Sequence, residues 1–270
     1  MTELQKRVAT GVVGAAALIS LVMMGGRVGI GFFTAVISLA MTYEFASIAF
    51  GLSDASEKRY ALLSLAWVLL IGALVLGIDT ELLAFGFLLL FGYFLFTAGR
   101  HADELPAHLR ELMAAGFALL YLVFLPLFLP RIAAFPNGAH WVMTLLLINW
   151  AGDTGAYFGG KQWGKTKLYP LISPKKTREG AFVGLGAGLI VTIIYKVAVF
   201  RAMPWGAAVL GPFVVGAVAQ IGDLCESLIK RGFDKKDSGS ILPGHGGFLD
   251  RFDGVVFSLP VMYAFVRWYG

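Results

Sequence analysis

The stretch Val28–Phe50, VGIGFFTAVISLAMTYEFASIAF, runs 23 residues with a single acidic or basic side chain, Glu44. A helix crosses the hydrocarbon core of a bilayer with about 20 mostly apolar residues, range roughly 17–25. This stretch therefore reads as a membrane span. The same ruler gives eight more: Val8–Met24, Tyr60–Ile78, Leu82–Ala98, Leu112–Leu129, Trp141–Phe158, Ala181–Phe200, Trp205–Ile221 and Gly254–Tyr269. Long alternation of period two is missing, which argues against an outer-membrane barrel. Composition agrees: of 270 residues, 58% are hydrophobic and 14% charged, with a mean hydropathy of +0.76. Soluble domains carry about 25% charged residues, and a disordered chain needs low hydrophobicity. The expected fold is an all-α integral membrane protein, a polytopic helical bundle of about nine transmembrane helices.

The basic residues orient the bundle. With a cytoplasmic N-terminus, seventeen of the 22 Lys and Arg fall on the cytoplasmic side. Only Arg27, Arg131, Arg201 and Arg267 fall opposite, and Lys196 lies within the seventh span. That is the positive-inside bias, so the net charge of +5 follows from topology and no nucleic-acid partner is expected. Lys6 and Arg7 before the first span imitate a signal peptide, but eight spans follow and the segment is expected to be retained. The expected location is the plasma (inner) membrane, multi-pass. One cysteine, Cys225, excludes an internal disulfide and a cysteine-cluster metal site.

Polar residues concentrate in two cytoplasmic segments, 149–180 and 222–253, so the chain divides into membrane helices at 1–130 and a catalytic membrane region at 131–270. In Ser227–Asp253, SLIKRGFDKKDSGSILPGHGGFLDRFD, four cations (Lys230, Arg231, Lys235, Lys236) interleave with Asp234, Asp237, Asp250 and Asp253, and His245 sits in a Pro-Gly-His-Gly-Gly turn. Glycines there let a ligand approach the backbone. Asp223, Glu226, Ser227 and Lys230 share one face of a helix continued from the eighth span. Asp250 and Asp253 project together from a helix start, and hard oxygen ligands of this kind suit Mg²⁺ bound alongside phosphates. In the other segment, Asp153 ends the sixth span, and a carboxylate at that depth favours a polar cavity. Six cations follow it, Lys161, Lys165, Lys167, Lys175, Lys176 and Arg178, enough to neutralise a triphosphate or an anionic headgroup.

Gly159–Thr166, GGKQWGKT, satisfies the P-loop pattern. That motif works between a strand and a helix of a soluble sheet; here a membrane span precedes it, and it is read as a chance match. Glu44 either lines a polar site or a proton path, or serves as a hydrogen-bonded structural group.

Ser227–Asp253 resembles the signature of the phosphatidate cytidylyltransferase (CDP-diacylglycerol synthase) family. All seventeen constrained positions of that signature are filled, from Ser227, Ile229, Lys230 and Arg231, through Lys236, Asp237, Gly239, Leu242 and Pro243, to His245, Gly246, Gly247, Phe248, Asp250, Arg251, Phe252 and Asp253. The upstream elements D-x-x-A-Y-x-x-G (Asp153, Ala156, Tyr157, Gly160) and S-P-K-K-T-x-E-G (Ser173 to Gly180) are similar to the same family. Resemblance is strongest over residues 149–253.

The resemblance implies that CTP and phosphatidate react to give CDP-diacylglycerol and pyrophosphate, with Mg²⁺ as cofactor. A second cation and a homodimer are left open. It implies a catalytic set of Asp223, Lys230, His245, Asp250, Arg251 and Asp253, with Asp223, Asp250 and Asp253 on the metal. The substrate-binding set is Asp153, Tyr157, Ser173, Lys175, Lys176, Glu179, Ser227, Arg231, Lys236, Gly246 and Gly247. His245 would contact phosphate rather than act as a base, because a phosphate nucleophile is already ionised. The partners are CTP, phosphatidate and membrane lipid, met at a cytoplasmic boundary. A CTP-dependent lipid kinase, releasing CDP, and a transporter are the alternatives.

Overall fold

The computed structural model describes residues 3–51, 57–77, 80–98, 103–239, 241 and 246–269, with backbone alone for 3–10 and 80. It is an all-α membrane protein with one small hairpin among the described residues. In order run α1 (Glu3–Met24), α2 (Gly26–Phe50), α3 (Glu57–Leu76), α4 (Thr80–Phe96) and α5 (Leu105–Ala118). A π-helical turn (Leu119–Phe124) and a 3-10 turn (Leu125–Leu127) then lead into α6 (Phe128–Ala133). The C-terminal part holds α7 (Gly138–Trp163), β1 (Lys167–Tyr169), β2 (Ser173–Thr177), α8 (Arg178–Ala198), α9 (Trp205–Gly232) and α10 (Leu249–Tyr269).

Each of the nine apolar stretches coincides with a helical run, and among the described residues five runs combine the length and apolarity needed to cross a membrane: 26–50, 57–76, 105–133, 178–198 and 205–232. The run 81–96 is apolar but shorter, and the part of α1 from 11 to 24 is apolar as well. α7 and α10 reach 26 and 21 residues, yet Asn149, Asp153 and Lys161 in one, and Asp250, Arg251, Asp253 and Arg267 in the other, dilute their apolarity. The site residues themselves weaken the signal of the helices that carry them.

Apolar burial does not drive helix association in lipid; close packing and interhelical hydrogen bonds do. α7 and α8 meet through small residues. A Cβ on Gly155 would lie 2.6 Å from Ala187 Cβ, and one on Gly184 would lie 2.7 Å from the Gly152 carbonyl oxygen. The buried centre, where α2, the π-helical turn, α6, α7 and α10 meet, includes Ile37, Phe45, Tyr121, Leu129, Leu145 and Leu259. Polar ties stitch it: the Ser38 hydroxyl donates to the Leu122 carbonyl, and the Tyr121 hydroxyl donates to the Asp253 carbonyl at 3.3 Å. A π-turn displaces carbonyls from the regular helical pattern, a common feature beside functional sites. The boundary expected at residue 130 falls inside α6, and α10 packs on both α2 and α6, so the two regions share one core.

The segment expected as a loop after the sixth span is more ordered. α7 continues to Trp163, and β1 and β2 pair antiparallel, Tyr169 opposite Ser173. Helix, not strand, therefore precedes Gly164–Thr166, which disposes of the P-loop reading. Thr177 caps α8, its hydroxyl accepting the Gly180 N–H at 3.1 Å. Such a cap contributes about 1 kcal/mol.

Candidate active site

Two carboxylate groups face each other across α9 and the start of α10. As the sequence spacing requires, Asp223, Glu226 and Lys230 lie on one face of α9, which runs on to Gly232. One oxygen each from Asp223, Glu226 and Asp253 lies within 4.8 Å of the others. Glu226 and Asp253 are buried. Lys230 Nζ meets Glu226 Oε2 at 2.7 Å, but Glu226 Oε1 is buried with no hydrogen-bond partner. Like charges this close repel, and a buried acceptor without a donor is costly. The cluster therefore fits a hard divalent cation.

Asp250 is in the opposite condition. Its Oδ1 accepts from Lys230 at 2.5 Å. Its Oδ2 accepts from the Ser238 N–H at 3.3 Å, the Ser238 hydroxyl at 2.7 Å and the Gly247 N–H at 3.2 Å. Burial pushes this carboxyl up, but the Lys230 and Ser238 contacts outweigh it and hold the group down to about 2. Asp250 and Asp253, three residues apart, thus meet different donors, although both lie beside Glu226. The sequence set Asp223, Asp250 and Asp253 is divided: two of its members join Glu226, while Asp250 pairs with Lys230.

The loop before α10 is anchored from far away. Glu44, on α2, accepts the Phe248 N–H at 3.0 Å and the Leu249 N–H at 2.8 Å, so it caps the α10 N-terminus. The Ser238 hydroxyl reaches it at 3.4 Å. Gly246 has φ +81°, a conformation that favours glycine. Of the signature, Leu242, Pro243 and His245 lie outside the described residues.

A polar cavity of about 440 Å³ opens beside the acid cluster, lined by Asp153, Tyr157, Lys161, Lys175, Lys176, Gln220, Asp223 and Arg251 among others. Lys176, on β2, forms an ion pair with Asp223. A second cavity, also about 440 Å³, lies between α1, α2, α7 and α10. Its walls are mainly apolar (Gly14, Leu18, Leu21, Phe33, Trp150, Phe248, Phe252), and Asp153, Asp250 and Arg251 also line it. Asp153 and Arg251 line both cavities.

The structure thus gathers Asp153, Tyr157, Lys175, Lys176, Asp223 and Arg251 around one space. It does not bring Ser173, Ser227, Arg231 or Lys236 to the wall of either cavity. Arg231 instead donates to the Lys235 carbonyl at 3.2 Å. Glu179 accepts the Lys165 and Thr166 backbone N–H groups at 3.1 Å, holding the turn between α7 and β1. Gly247 packs on the Glu44 carboxylate: a Cβ there would lie 2.6 Å from Glu44 Oε2. Sequence reasoning did not nominate Glu226 or Gln220 as site residues, and it named Lys161 only among the cations able to neutralise a phosphate. For Glu226 the signal was present, three residues after Asp223 on the same face.

A model described as "Cytidylyltransferase family" matches residues 5–269. The chain belongs to this family. The phosphatidate cytidylyltransferase of Brucella suis is 36% identical over 266 residues, 98% of this chain and 94% of that protein. Those of Staphylococcus haemolyticus and Bacillus subtilis are 43% identical over 152 and 126 residues, 56% and 47% of this chain and 58% and 47% of theirs. The cytidylyltransferase family match spans both regions of the fold, including the first helices, where sequence motifs are absent. Those helices wall the apolar cavity, so the family resemblance and the site coincide.

Proposed function

We infer that the protein joins CTP to phosphatidate, giving CDP-diacylglycerol and pyrophosphate. The observation that carries this reading is the shared wall at Asp153 and Arg251. A basic, polar cavity meets an apolar one there, as a reaction between a soluble nucleotide and a two-chain lipid requires. An oxygen of the lipid phosphate attacks the α-phosphorus of CTP. A new P–O bond forms as the bond to the β-phosphate breaks, and pyrophosphate carries away the electron pair.

Transfer of this kind depends on positioning and charge neutralisation more than on acid–base chemistry. Lys161, Lys175 and Lys176 line the polar cavity where a triphosphate would lie. Arg251, at the boundary, can bind a phosphate through its planar fork. Asp223, Glu226 and Asp253 would hold Mg²⁺, which when bound neutralises phosphate charge in the transition state. Phe33, Phe248 and Phe252 offer an acyl chain an aromatic wall; Phe33 and Phe252 meet edge to face at 5.6 Å. The bias of Lys and Arg supports a cytoplasmic N-terminus, a cytoplasmic site and residence in the plasma membrane.

The test uses purified protein in detergent with phosphatidate and CTP labelled at the α-phosphate, with Mg²⁺ or EDTA. Label entering the lipid phase with matching pyrophosphate release, abolished by EDTA, is the expected result. Label remaining in water while folded protein is present would overturn the reading.

A further inference from the structure

Glu44 is the deepest carboxylate of the N-terminal helices, 1% exposed, and no step of the proposed reaction uses it. Its place is nevertheless specific. The carboxylate receives the Phe248 and Leu249 N–H groups, the first donors of α10, at 3.0 and 2.8 Å. Gly239 and Gly247 both press on it: a Cβ at either would lie 2.6 Å from a Glu44 oxygen. One side chain therefore holds Gly239 and Gly247 against itself. Ser238 joins this clasp to Asp250, its hydroxyl lying 3.4 Å from Glu44 Oε2 and 2.7 Å from Asp250 Oδ2. The Gly247 N–H completes the link to Asp250 at 3.2 Å.

We propose that Glu44 is a positioning residue for the transfer reaction: from α2 it clasps Ser238, Gly239, Gly247 and the first turn of α10, setting Arg251 at the two cavities and Asp253 in the acid cluster. This rests on the cytidylyltransferase reading and adds a residue outside the C-terminal signature to it. The chemistry of the clasp selects glutamate. Its two oxygens accept from two backbone donors while carrying the charge that a helix N-terminus favours. Glutamine offers one acceptor oxygen and turns an NH₂ toward an N–H. Aspartate is one methylene short. A residue that only fills the core would tolerate glutamine, its near-isostere.

The experiment compares wild type, Glu44→Gln, Glu44→Ala and Ser38→Ala in detergent. Ser38→Ala removes a buried hydrogen bond of the same helix, to the Leu122 carbonyl, away from the clasp. Three quantities are read: thermal midpoint, kcat per folded molecule with KM for both substrates, and hydrogen–deuterium exchange across 238–250. In Glu44→Gln, kcat per folded molecule falls about 10–100-fold, the scale for losing a group that orients reacting ones. Exchange accelerates at 238–250 while α3 is unchanged. Ser38→Ala lowers only the midpoint. The proposal is overturned if Glu44→Gln keeps wild-type kcat per folded molecule, or if exchange at 238–250 does not change. If Glu44→Ala fails to fold, Glu44→Gln still decides. A wild type inactive on CTP and phosphatidate defeats the functional reading instead, and the exchange result then judges the clasp alone.

Discussion

Two groups of carboxylates meet at the start of α10, and their hydrogen-bond balances are opposite. Around Glu44 and Asp250, donors are abundant: four N–H contacts, the Ser238 hydroxyl and Lys230 satisfy the two side chains. Around Asp223, Glu226 and Asp253, acceptors crowd together, and one Glu226 oxygen is buried with no donor. The difference separates scaffold from working site. A saturated carboxylate in a membrane protein fixes backbone; a donor-poor cluster beside a basic cavity suits the cation and phosphate of the proposed reaction. Lys230 sits between the two, paired to Glu226 and to Asp250.

The largest expected effect breaks the donor-poor side. Asp223→Asn removes a charge from the cluster and the partner of Lys176, so turnover is expected to fall by about three decades or more, on the scale of losing metal stabilisation. Label transfer measured across a Mg²⁺ titration checks this; a variant within tenfold of wild type would remove Asp223 from the mechanism. Next comes the shared cation. Lys230→Met strands Glu226 and Asp250 together, and breaking a buried pair in this way costs about 3–5 kcal/mol. Unfolding in mixed detergent would report the loss, and combining it with Glu226→Gln should recover part of it. A change under about 1 kcal/mol would mean that solvent already screens the network. Smaller again is the effect of crowding the apolar cavity. A Cβ on Gly14 meets nothing within 4 Å, so Gly14→Leu grows into that space. It should raise KM for phosphatidate about 3–30-fold, as a lost methylene-scale fit does, with KM for CTP unchanged. Equal rises in both would place the lipid elsewhere.

Which parts of this arrangement were legible in the sequence follows from the range of each interaction. Helical stretches follow from runs of apolar residues, and Asp223, Glu226 and Lys230 share a face because helix geometry is local. The family resemblance needed only contiguous motifs. By contrast, Ser238 and Glu44 are 194 residues apart, and no spacing rule links them; hydropathy registers Glu44 only as a charge in an apolar run. Nor does spacing reveal that Asp250 and Asp253 diverge. Side chains three apart lie on one face, yet helices and loops packed against that face decide which donors each one meets. The hairpin at Lys167–Thr177 was obscured because its strands are three and five residues long and contain Pro174.

The mildest perturbation tests the saturated side by pH. Asp250 is held down to about 2 in the folded protein against the usual 3.8, because its hydrogen bonds and the Lys230 ion pair outweigh the cost of burial. A carboxyl whose folded pKa is depressed binds its proton more readily when the chain unfolds. Its stabilising contribution is then complete above the unfolded value and declines as pH falls through the folded one. Wild type should therefore lose stability between about pH 4 and pH 2 more steeply than Asp250→Asn, which has no carboxyl to protonate at that position. Above about pH 5 the difference between the two should be constant. Thermal midpoints in detergent at half-unit intervals resolve the slope. Parallel curves throughout would mean that the Asp250 contacts are equally present in the unfolded chain or absent in the folded one. The contrast between a saturated and a donor-poor carboxylate group would then lose its saturated half.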